Sequence, residues 1–258
     1  MQQPYKLLQW ADMSLGVNLL YVPETHTNAV GSLRSPLMMI NTKRTHHNNR
    51  LYEATGGASY AEAITAHMDN WIKVCCRTHS LPQSCTNSIT TYPQTNHTKQ
   101  PPQTVPRTPK GLSYFNDWAA NRFAANAAFT ALVAADLGLN PAWYRQYGAQ
   151  QIHYMLGDCC DKEMSHLVGF GPKWPTSVHH RGSSCKDSDP ESCSCTGLPN
   201  SHQLYGALIG GPTRDDQISP EGCADFIKNE VATDYNAGFT SALAGLKHLS
   251  VKGELPKA

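Results

Sequence analysis

Two acidic side chains near the C-terminal end have a spacing that could support acid–base chemistry. Glu230 and Asp234 lie four residues apart, so a helix would place both carboxylates on one face. Each of two close carboxylates raises the proton affinity of the other, and a carboxyl that stays protonated can act as a general acid. The same spacing is also typical of a solvated acidic helix face, which is the commoner arrangement.

A run of hydrogen-bond donors stands earlier in the chain, at His179, His180 and Arg181. Imidazole and guanidinium groups of this kind suit sugar hydroxyls or a leaving oxygen. Two other interpretations remain open for these residues. They could be three polar residues of an exposed loop, or part of a metal site, although no further ligands stand nearby at a defined spacing.

Trp118 and Arg122 form a third candidate pair, four residues apart in a segment with helical spacing. An aromatic ring offers a flat apolar platform, and a pyranose sugar has an apolar face that matches it. The alternative is a core tryptophan beside an arginine whose aliphatic stem packs along it.

The elements that must position these residues are mostly helical. Apolar spacing predicts helices over 9–22, 59–74, 114–136, 141–156 and 219–249, the last in two pieces with a break near 236–238. Alanines favour the third helix, Gly138 can end it, and Asn140-Pro141 is typical of the start of the fourth. Residues 158–219 hold many Gly, Pro and Ser, which predicts a long irregular segment. No block is rich in strand signals, so the expected class is all-α.

Two polar stretches, residues 23–50 and 75–107, interrupt this helical pattern. The second contains few large aliphatic residues and cannot bury much apolar area, which predicts a loop or disorder. We therefore interpret residues 1–258 as one partial catalytic domain with polar insertions at these two places.

Composition limits the partners and the compartment. A net charge of +1 favours neither nucleic acid nor an anionic membrane, and no apolar run is long enough to span a membrane. The nine cysteines form no CxxC pair, which argues against a zinc ribbon. Two of Cys185, Cys193 and Cys195 are expected to close a small loop, which indicates an oxidising compartment. The alternative is that these thiols are free and buried.

Several segments together resemble glycoside hydrolase family 9. The segment Ser165–Arg181 resembles the first signature of that family, and Phe226–Ala237 resembles the end of the second. The first match has its family residues at Ser165, Leu167, Val168, Gly171, Lys173, Val178, His179 and Arg181. Residues 111–126, 151–158 and 204–212 resemble further family segments in the same order.

The resemblance implies an (α/α)6 barrel and an endo-β-1,4-glucanase that hydrolyses internal β-1,4-glucosidic bonds with inversion. It implies that Glu230 is the general acid, with His179 beside it at the catalytic centre. The substrate-binding residues that it implies are Arg181, Tyr235, Trp118, Arg122 and Tyr205. The expected partner is a β-1,4-glucan or cello-oligosaccharide, bound by a monomer without cofactor, metal, nucleic acid or membrane.

One family feature is missing from this sequence. Inverting hydrolysis uses a second carboxyl group, a base, roughly 6.5–9.5 Å from the acid. The family carries that base in an Asp-Ala-Gly-Asp motif, which occurs nowhere in these 258 residues. We therefore expect the C-terminal part of the catalytic domain of a secreted protein, with an incomplete barrel and with the signal peptide missing. The alternative is a non-catalytic glucan-binding remnant or an inactive truncated product.

Overall fold

The computed structural model describes residues 45, 47–72, 105–157, 164–185, 193, 199–218 and 222–256. The helices of these residues are α1 (Ala58–Ile72), α2 (Ala120–Asp136), α3 (Pro141–Met155), α4 (Arg181–Ser184), α5 (Phe226–Asn229) and α6 (Thr233–Lys252). Residues 47–55 are helical as well. Strand pairing in the described part of the chain is limited to isolated bridges, so the predicted all-α class is confirmed. The helix predicted over 9–22 lies outside the described residues.

Helices α1 and α3 agree with their predictions to within two residues, but α2 begins six residues later than predicted. The backbone N–H of Trp118 donates to the Asn116 side chain (3.0 Å), and Ala119 has a left-handed φ of 56°. These two features turn the chain just before the helix, because a left-handed residue cannot belong to a right-handed helix. Trp118 therefore lies outside α2, so the prediction that it shares a helix face with Arg122 is wrong.

The break in the C-terminal helical region falls at residues 230–232 and not at 236–238. The backbone N–H of Gly210 donates to the carbonyl of Glu230 (2.9 Å), and His179 N–H donates to the carbonyl of Asn229 (2.8 Å). These long-range bonds occupy carbonyls that a continuous helix would need for its own N–H groups. The chain is therefore extended at Glu230, and α6 begins at Thr233.

The core is built where α2 packs between α3 and α6. Most of the buried residues of α2 are small. The buried alanines are Ala120, Ala124, Ala125, Ala127, Ala128, Ala131, Ala134 and Ala135. A Cβ added to Gly148 of α3 would lie 2.9 Å from Leu132, and one added to Gly238 of α6 would lie 2.9 Å from the backbone nitrogen of Asn126. Small residues thus let the three helices approach closely, and a larger side chain there would force them apart.

A second apolar cluster joins α1 to the opposite face of α2. Trp71 of α1 is buried there and packs against Phe115, with ring centroids 5.9 Å apart. The Trp71 indole donates to Nε2 of His67 (3.3 Å), which is also buried. Burial lowers the pKa of His67 to about 4, because the charged imidazolium loses its hydration.

The segment between α3 and α5 is irregular, as predicted for residues 158–219. Its described part contains only the four-residue helix α4. Isolated bridges join Leu167 to Leu208 and Ile209 to Val231, around a small apolar cluster. The loop after α4 is closed by a Cys185–Cys193 disulfide, which confirms the expected cystine pair among the three candidate cysteines.

Only the ends of the two predicted insertions lie within the described residues. Residues 47–50, at the end of the first stretch, are helical, and Arg107, at the end of the second, forms an isolated antiparallel bridge with Ser113. The rest of both stretches lies outside the described residues. No helix in the described part of the chain combines the length and apolarity that a membrane crossing requires.

Candidate functional site

The carboxyl group of Glu230 stands at the junction of three chain segments. Glu230 is in extended conformation (φ −60°, ψ 143°) between α5 and α6. Its backbone pairs with His179 on one side through a parallel bridge and accepts the Gly210 N–H bond on the other. The backbone that carries the side chain is therefore held by segments that are far apart in sequence.

One oxygen of this carboxyl accepts two hydrogen bonds. The hydroxyl of Tyr235 donates to Oε2 at 2.6 Å, and the indole N–H of Trp118 donates to the same atom at 3.0 Å. The indole nitrogen also lies 3.2 Å from the Tyr235 hydroxyl oxygen, so the three groups form a compact triangle. Oε1 is the oxygen with no donor among the described residues, which makes it the site where a proton can reside.

Tyr235 is suited to remain a donor. Its side chain is buried at the first turn of α6, and burial, followed by the hydrogen bond to Glu230, raises the pKa of Tyr235 far above its usual range. The Arg122 guanidinium lies 5.2 Å from the centroid of its ring. The phenol therefore keeps its proton at any ordinary pH and can stabilise negative charge on Oε2.

Asp234 does not share a helix face with Glu230. Its carboxylate forms an ion pair with the Arg122 guanidinium at 2.8 Å. The prediction that Glu230 and Asp234 lie on one helix is wrong, because Glu230 belongs to the extended segment before α6. The environment of the Glu230 carboxyl is thus made of two neutral donors, whereas the negative charge of Asp234 is compensated by Arg122.

An aromatic surface adjoins the carboxyl group. The Trp118 ring is 43% exposed although its N–H is engaged with Glu230, and its centroid lies 5.3 Å from that of Phe226. Phe226 is 44% exposed and lies 5.9 Å from the imidazole of His179. Sequence reasoning missed Phe226 as a lining residue. Its position four residues before Glu230, at the start of a short helix, was the available signal.

His179 and Arg181 come from the predicted donor run. Nδ1 of His179 lies 2.7 Å from the carbonyl oxygen of Cys223. A carbonyl can only accept, so Nδ1 carries the hydrogen and Nε2 is the nitrogen left for another partner. Arg181 is exposed at the first position of α4. Nowhere in the described ranges do three or more His, Cys, Asp or Glu side chains form a group that could hold a metal ion.

Tyr205 lies on a loop that is tied to the same region. The carbonyl of Gly206 accepts a hydrogen bond from the side chain of Asn236 (2.7 Å), the residue after Tyr235. The Tyr205 ring is 74% exposed and covers Gly169, where an added Cβ would lie 3.2 Å from ring atom Cε1. The structure thus brings Trp118, Arg122, Glu230 and Tyr235 into contact, and it attaches the Tyr205 loop to the start of α6.

Fold and site together define an all-α protein whose long loops gather a hydrogen-bonded carboxyl group, a donor-rich segment and exposed aromatic rings. Glycosyl hydrolase family 9 has a sequence model that matches residues 3–243, and the chain belongs to this family. The chain is 44% identical over 147 residues to Endoglucanase B of Cellulomonas fimi. It is 42% identical over 151 residues to Endoglucanase A of Bacillus pumilus. These matches cover 56% and 57% of this chain but only 14% and 22% of the relatives.

Solved structures give the same assignment. The endoglucanase of the termite Nasutitermes takasagoensis superposes with a TM-score of 0.60 at 34% identity, over 86% of this chain and 43% of the termite chain. Endoglucanase CelQ of Clostridium thermocellum, complexed with cellotriose, gives 0.60 at 32% identity, over 83% of this chain and 31% of CelQ. The chain therefore has the all-α fold of the family, part of an (α/α)6 barrel, over less than half of the length of these structures.

Proposed function

We propose that this chain supplies the general-acid side of an endo-β-1,4-glucanase site, which hydrolyses internal β-1,4-glucosidic bonds of cellulose and related glucans with inversion. One observation carries the proposal. The Glu230 carboxyl has Oε2 held by Tyr235 and Trp118, while Oε1 is left without a donor beside an exposed aromatic surface. The endoglucanase relatives, and the cello-oligosaccharide complexes of CelQ, support a glucan as the substrate.

The geometry suits proton donation from Oε1. When Oε1 gives its proton to the bridging oxygen of the glucan, the carboxyl becomes a carboxylate, and the new charge is shared with Oε2. Tyr235 and Trp118 already donate to that atom, so no reorganisation is needed to stabilise the product of the proton transfer. Each such bond to a charged acceptor contributes about 1.5–3 kcal/mol, and less for a partly exposed donor such as Trp118.

The predicted substrate-binding residues and His179 are the candidates for sugar binding. We infer that His179 and Arg181 donate to or accept from sugar hydroxyls beside the bond that breaks, and that His179 does so through Nε2. The exposed ring of Trp118 offers the apolar face against which a pyranose can lie. Arg122 supports the site through Asp234 and through the face of Tyr235. Tyr205 extends the binding surface on the neighbouring loop.

The water-activating base is not assigned to any described residue. Asp234 is held in an ion pair with Arg122, and the Asp-Ala-Gly-Asp motif does not occur in this sequence. Hydrolysis by inversion therefore also requires a carboxylate that the described part of the chain does not identify.

Reducing-sugar release from carboxymethylcellulose tests the proposal. The Glu230→Gln variant should lose about 100-fold or more of the activity, since a positioned general acid contributes about 10²–10⁴-fold. The matched control is Glu254→Gln, which makes the same substitution in a carboxylate that pairs with Arg145 (2.9 Å) beyond the opposite end of α6, and it should retain the activity. Measurable activity of the unmutated chain that Glu230→Gln retains in full would contradict the acid assignment. An initial product with retained anomeric configuration would contradict inversion.

A second function, glucan binding without hydrolysis, is favoured by the missing base motif. Isothermal titration with cellohexaose distinguishes it from the first. Binding heat and a raised melting temperature, with no reducing sugar released, would establish binding alone. An absence of heat and of thermal protection would reject both functions for the chain as it stands.

We also propose that the protein is secreted and acts as a monomer. The Cys185–Cys193 disulfide supports an oxidising compartment, because cystines of this kind persist mainly outside the cytosol. Recovery of the protein from culture medium with this cystine intact, as one peak of monomer mass in size-exclusion chromatography, is the expected result. A cell-retained product with free Cys185 would contradict secretion.

A further inference from the structure

Two polar side chains are fully enclosed beneath the candidate site. Asn121 of α2 and His166 of the irregular segment are 0% and 2% exposed. The Asn121 amide nitrogen lies 2.9 Å from Nδ1 of His166 and also donates to the carbonyl of Ile209 at 3.0 Å. A third bond runs from the Asn121 backbone N–H to the carbonyl of Gly210 (2.9 Å). One residue thus connects α2 with two separate loop segments.

These bonds lead directly to the backbone of Glu230. The N–H of Gly210 donates to the carbonyl of Glu230 at 2.9 Å. The neighbouring N–H of Ile209 donates to the carbonyl of His166 at 3.1 Å. The short segment 209–210 therefore lies between the Asn121–His166 pair and the residue that bears the carboxyl group.

Asn121 also lies close in sequence to Trp118, one of the two hydrogen-bond donors to the Glu230 carboxyl group. Trp118, whose indole donates to Oε2 of Glu230, precedes Asn121 by only three residues. Gly211 packs so tightly that an added Cβ would lie 2.9 Å from Cγ of Asn121. Asn121 therefore sets the register between the segment that carries the indole and the segment that carries the carboxyl.

Loss of the hydrogen bond between Asn121 and His166 would destabilise the fold. A buried polar group that loses its partner costs about 1–3 kcal/mol. Burial lowers the pKa of His166 to about 3, so the imidazole is neutral at ordinary pH and one ring nitrogen can accept a hydrogen bond. The ring is also packed against Tyr154 in an edge-on contact, with centroids 5.4 Å apart. The ring is thereby fixed in orientation as well as in charge.

We propose that Asn121 and His166 are positioning residues for the Glu230 carboxyl, acting through the backbone of residues 209–210 and through the Trp118 segment. The inference rests on the proposed function only where it takes the Glu230 carboxyl to be the general acid. The placement itself is a property of the folded chain and can be measured without substrate.

The indole N–H of Trp118 reports the placement directly. Its ¹H–¹⁵N signal, assigned among the five tryptophans with Trp118→Phe, is compared in the unmutated chain and in Glu230→Gln as the pH is lowered. The unmutated chain should show a shift that Glu230→Gln abolishes. That difference distinguishes the effect of the Glu230 carboxyl on the signal from any effect of Asp234, whose carboxylate pairs with Arg122.

The positioning variants are Asn121→Ala and His166→Phe, and both should lose this Glu230-dependent shift. His166→Asn, which restores an acceptor near the Asn121 amide, should recover part of it. The matched control is Gln151→Ala. Gln151 is also fully buried and accepts from Ser113 N–H (2.8 Å) and donates to the Gly111 carbonyl (3.0 Å), away from Glu230. This control should lose stability yet keep the shift.

Each other outcome overturns the proposal. An unchanged shift in both variants would show that the carboxyl is placed without the pair. Loss of the shift in Gln151→Ala would make it an effect of general destabilisation, and failure of both variants to fold while Gln151→Ala folds would assign the pair to fold stability alone. Absence of a Glu230-dependent shift in the unmutated chain would remove the contact itself, whether or not the chain hydrolyses glucan.

Discussion

Two regions of this protein are held together in different ways. The helical region is formed by α2, α3 and α6, and the site region is formed by residues 164–185, 199–218 and 226–232. In the helical region, alanines and glycines bring three helices into close apolar contact. In the site region, isolated bridges and single hydrogen bonds between distant segments fix the backbone, with only a small apolar cluster between them. Packing thus stabilises the fold of this protein, while a few polar contacts determine where Glu230 lies.

The largest effect should come from the helical region, where α6 crosses α2 at Gly238. In Gly238→Ala the new methyl group would lie 2.9 Å from the backbone nitrogen of Asn126, which cannot move aside as a flexible side chain can. We expect the free energy of unfolding to fall by about 3 kcal/mol, as measured by urea denaturation.

The control for this prediction is Gly245→Ala, two turns later on the same helix. Its methyl group would meet Leu132 Cδ1 at 3.2 Å, the end of a flexible side chain. The change should be smaller than about 1 kcal/mol, and it could be favourable because alanine has the higher helix propensity. Equal losses in both variants would mean that close approach at Gly238 is not what holds the two helices.

A slightly smaller loss of stability should appear when the pH is lowered, because two buried histidines become protonated on unfolding. Burial lowers the pKa of His166 to about 3 in the site region and that of His67 to about 4 on α1, outside that region. Because the unfolded chain binds a proton more readily than the folded one, each histidine stabilises the fold fully above pH 6.5 and loses that contribution as the pH falls towards its folded pKa. From pH 6 to pH 4 each should cost about 2–2.5 kcal/mol.

Urea denaturation of His166→Phe and of His67→Phe at pH 4, 5 and 6 checks this. Each variant should show a weaker fall in stability with acid than the unmutated chain. The double variant should show the sum, since His67 contacts Trp71 and His166 contacts Tyr154, which belong to different apolar clusters. An unchanged pH dependence in His166→Phe would contradict the buried, neutral imidazole on which the Asn121 contact depends.

The smallest effect should come from the disulfide in the site region. The Cys185–Cys193 bond closes a short loop, with a sequence separation of 8. Replacing both cysteines by serine should lower the free energy of unfolding by about 2 kcal/mol, because the unfolded chain regains conformational freedom. Each single serine variant should match the double variant in a thermal melt, since either one breaks the same bond. A melting temperature that does not change would show that the loop adds nothing to stability.

The sequence could predict the elements that depend on local residues but not those that depend on distant partners. Helices α1 and α3 followed from apolar spacing, because their boundaries depend on residues within the element and on Pro141. The start of α2 and the break before α6 did not, because each is set by distant backbone partners such as Gly210, which no local pattern reveals. Long-range pairing of this kind overrides local helical preference.

The candidate site was predicted in an uneven way. Spacing pointed to Glu230 through a helical pair with Asp234 that does not exist, whereas family resemblance pointed to the same residue independently of its conformation. The roles of Glu230 and of the other predicted site residues stay predictions. Asn121 and His166 were missed, since a polar residue in an alanine-rich helix gives no sign of being buried until its partners are known.

The role of Glu230 as the general acid is tested by measuring the rates of the Glu230→Gln variant and of the unmutated chain on two substrates. Cellohexaose has a leaving alcohol that needs a proton, whereas a dinitrophenyl β-cellobioside has a leaving group that needs none. If Glu230 donates through Oε1, the variant should lose about 100-fold or more of its rate on cellohexaose and less than about 10-fold on the aryl substrate. Equal losses on the two substrates would contradict the role of Glu230 as the general acid.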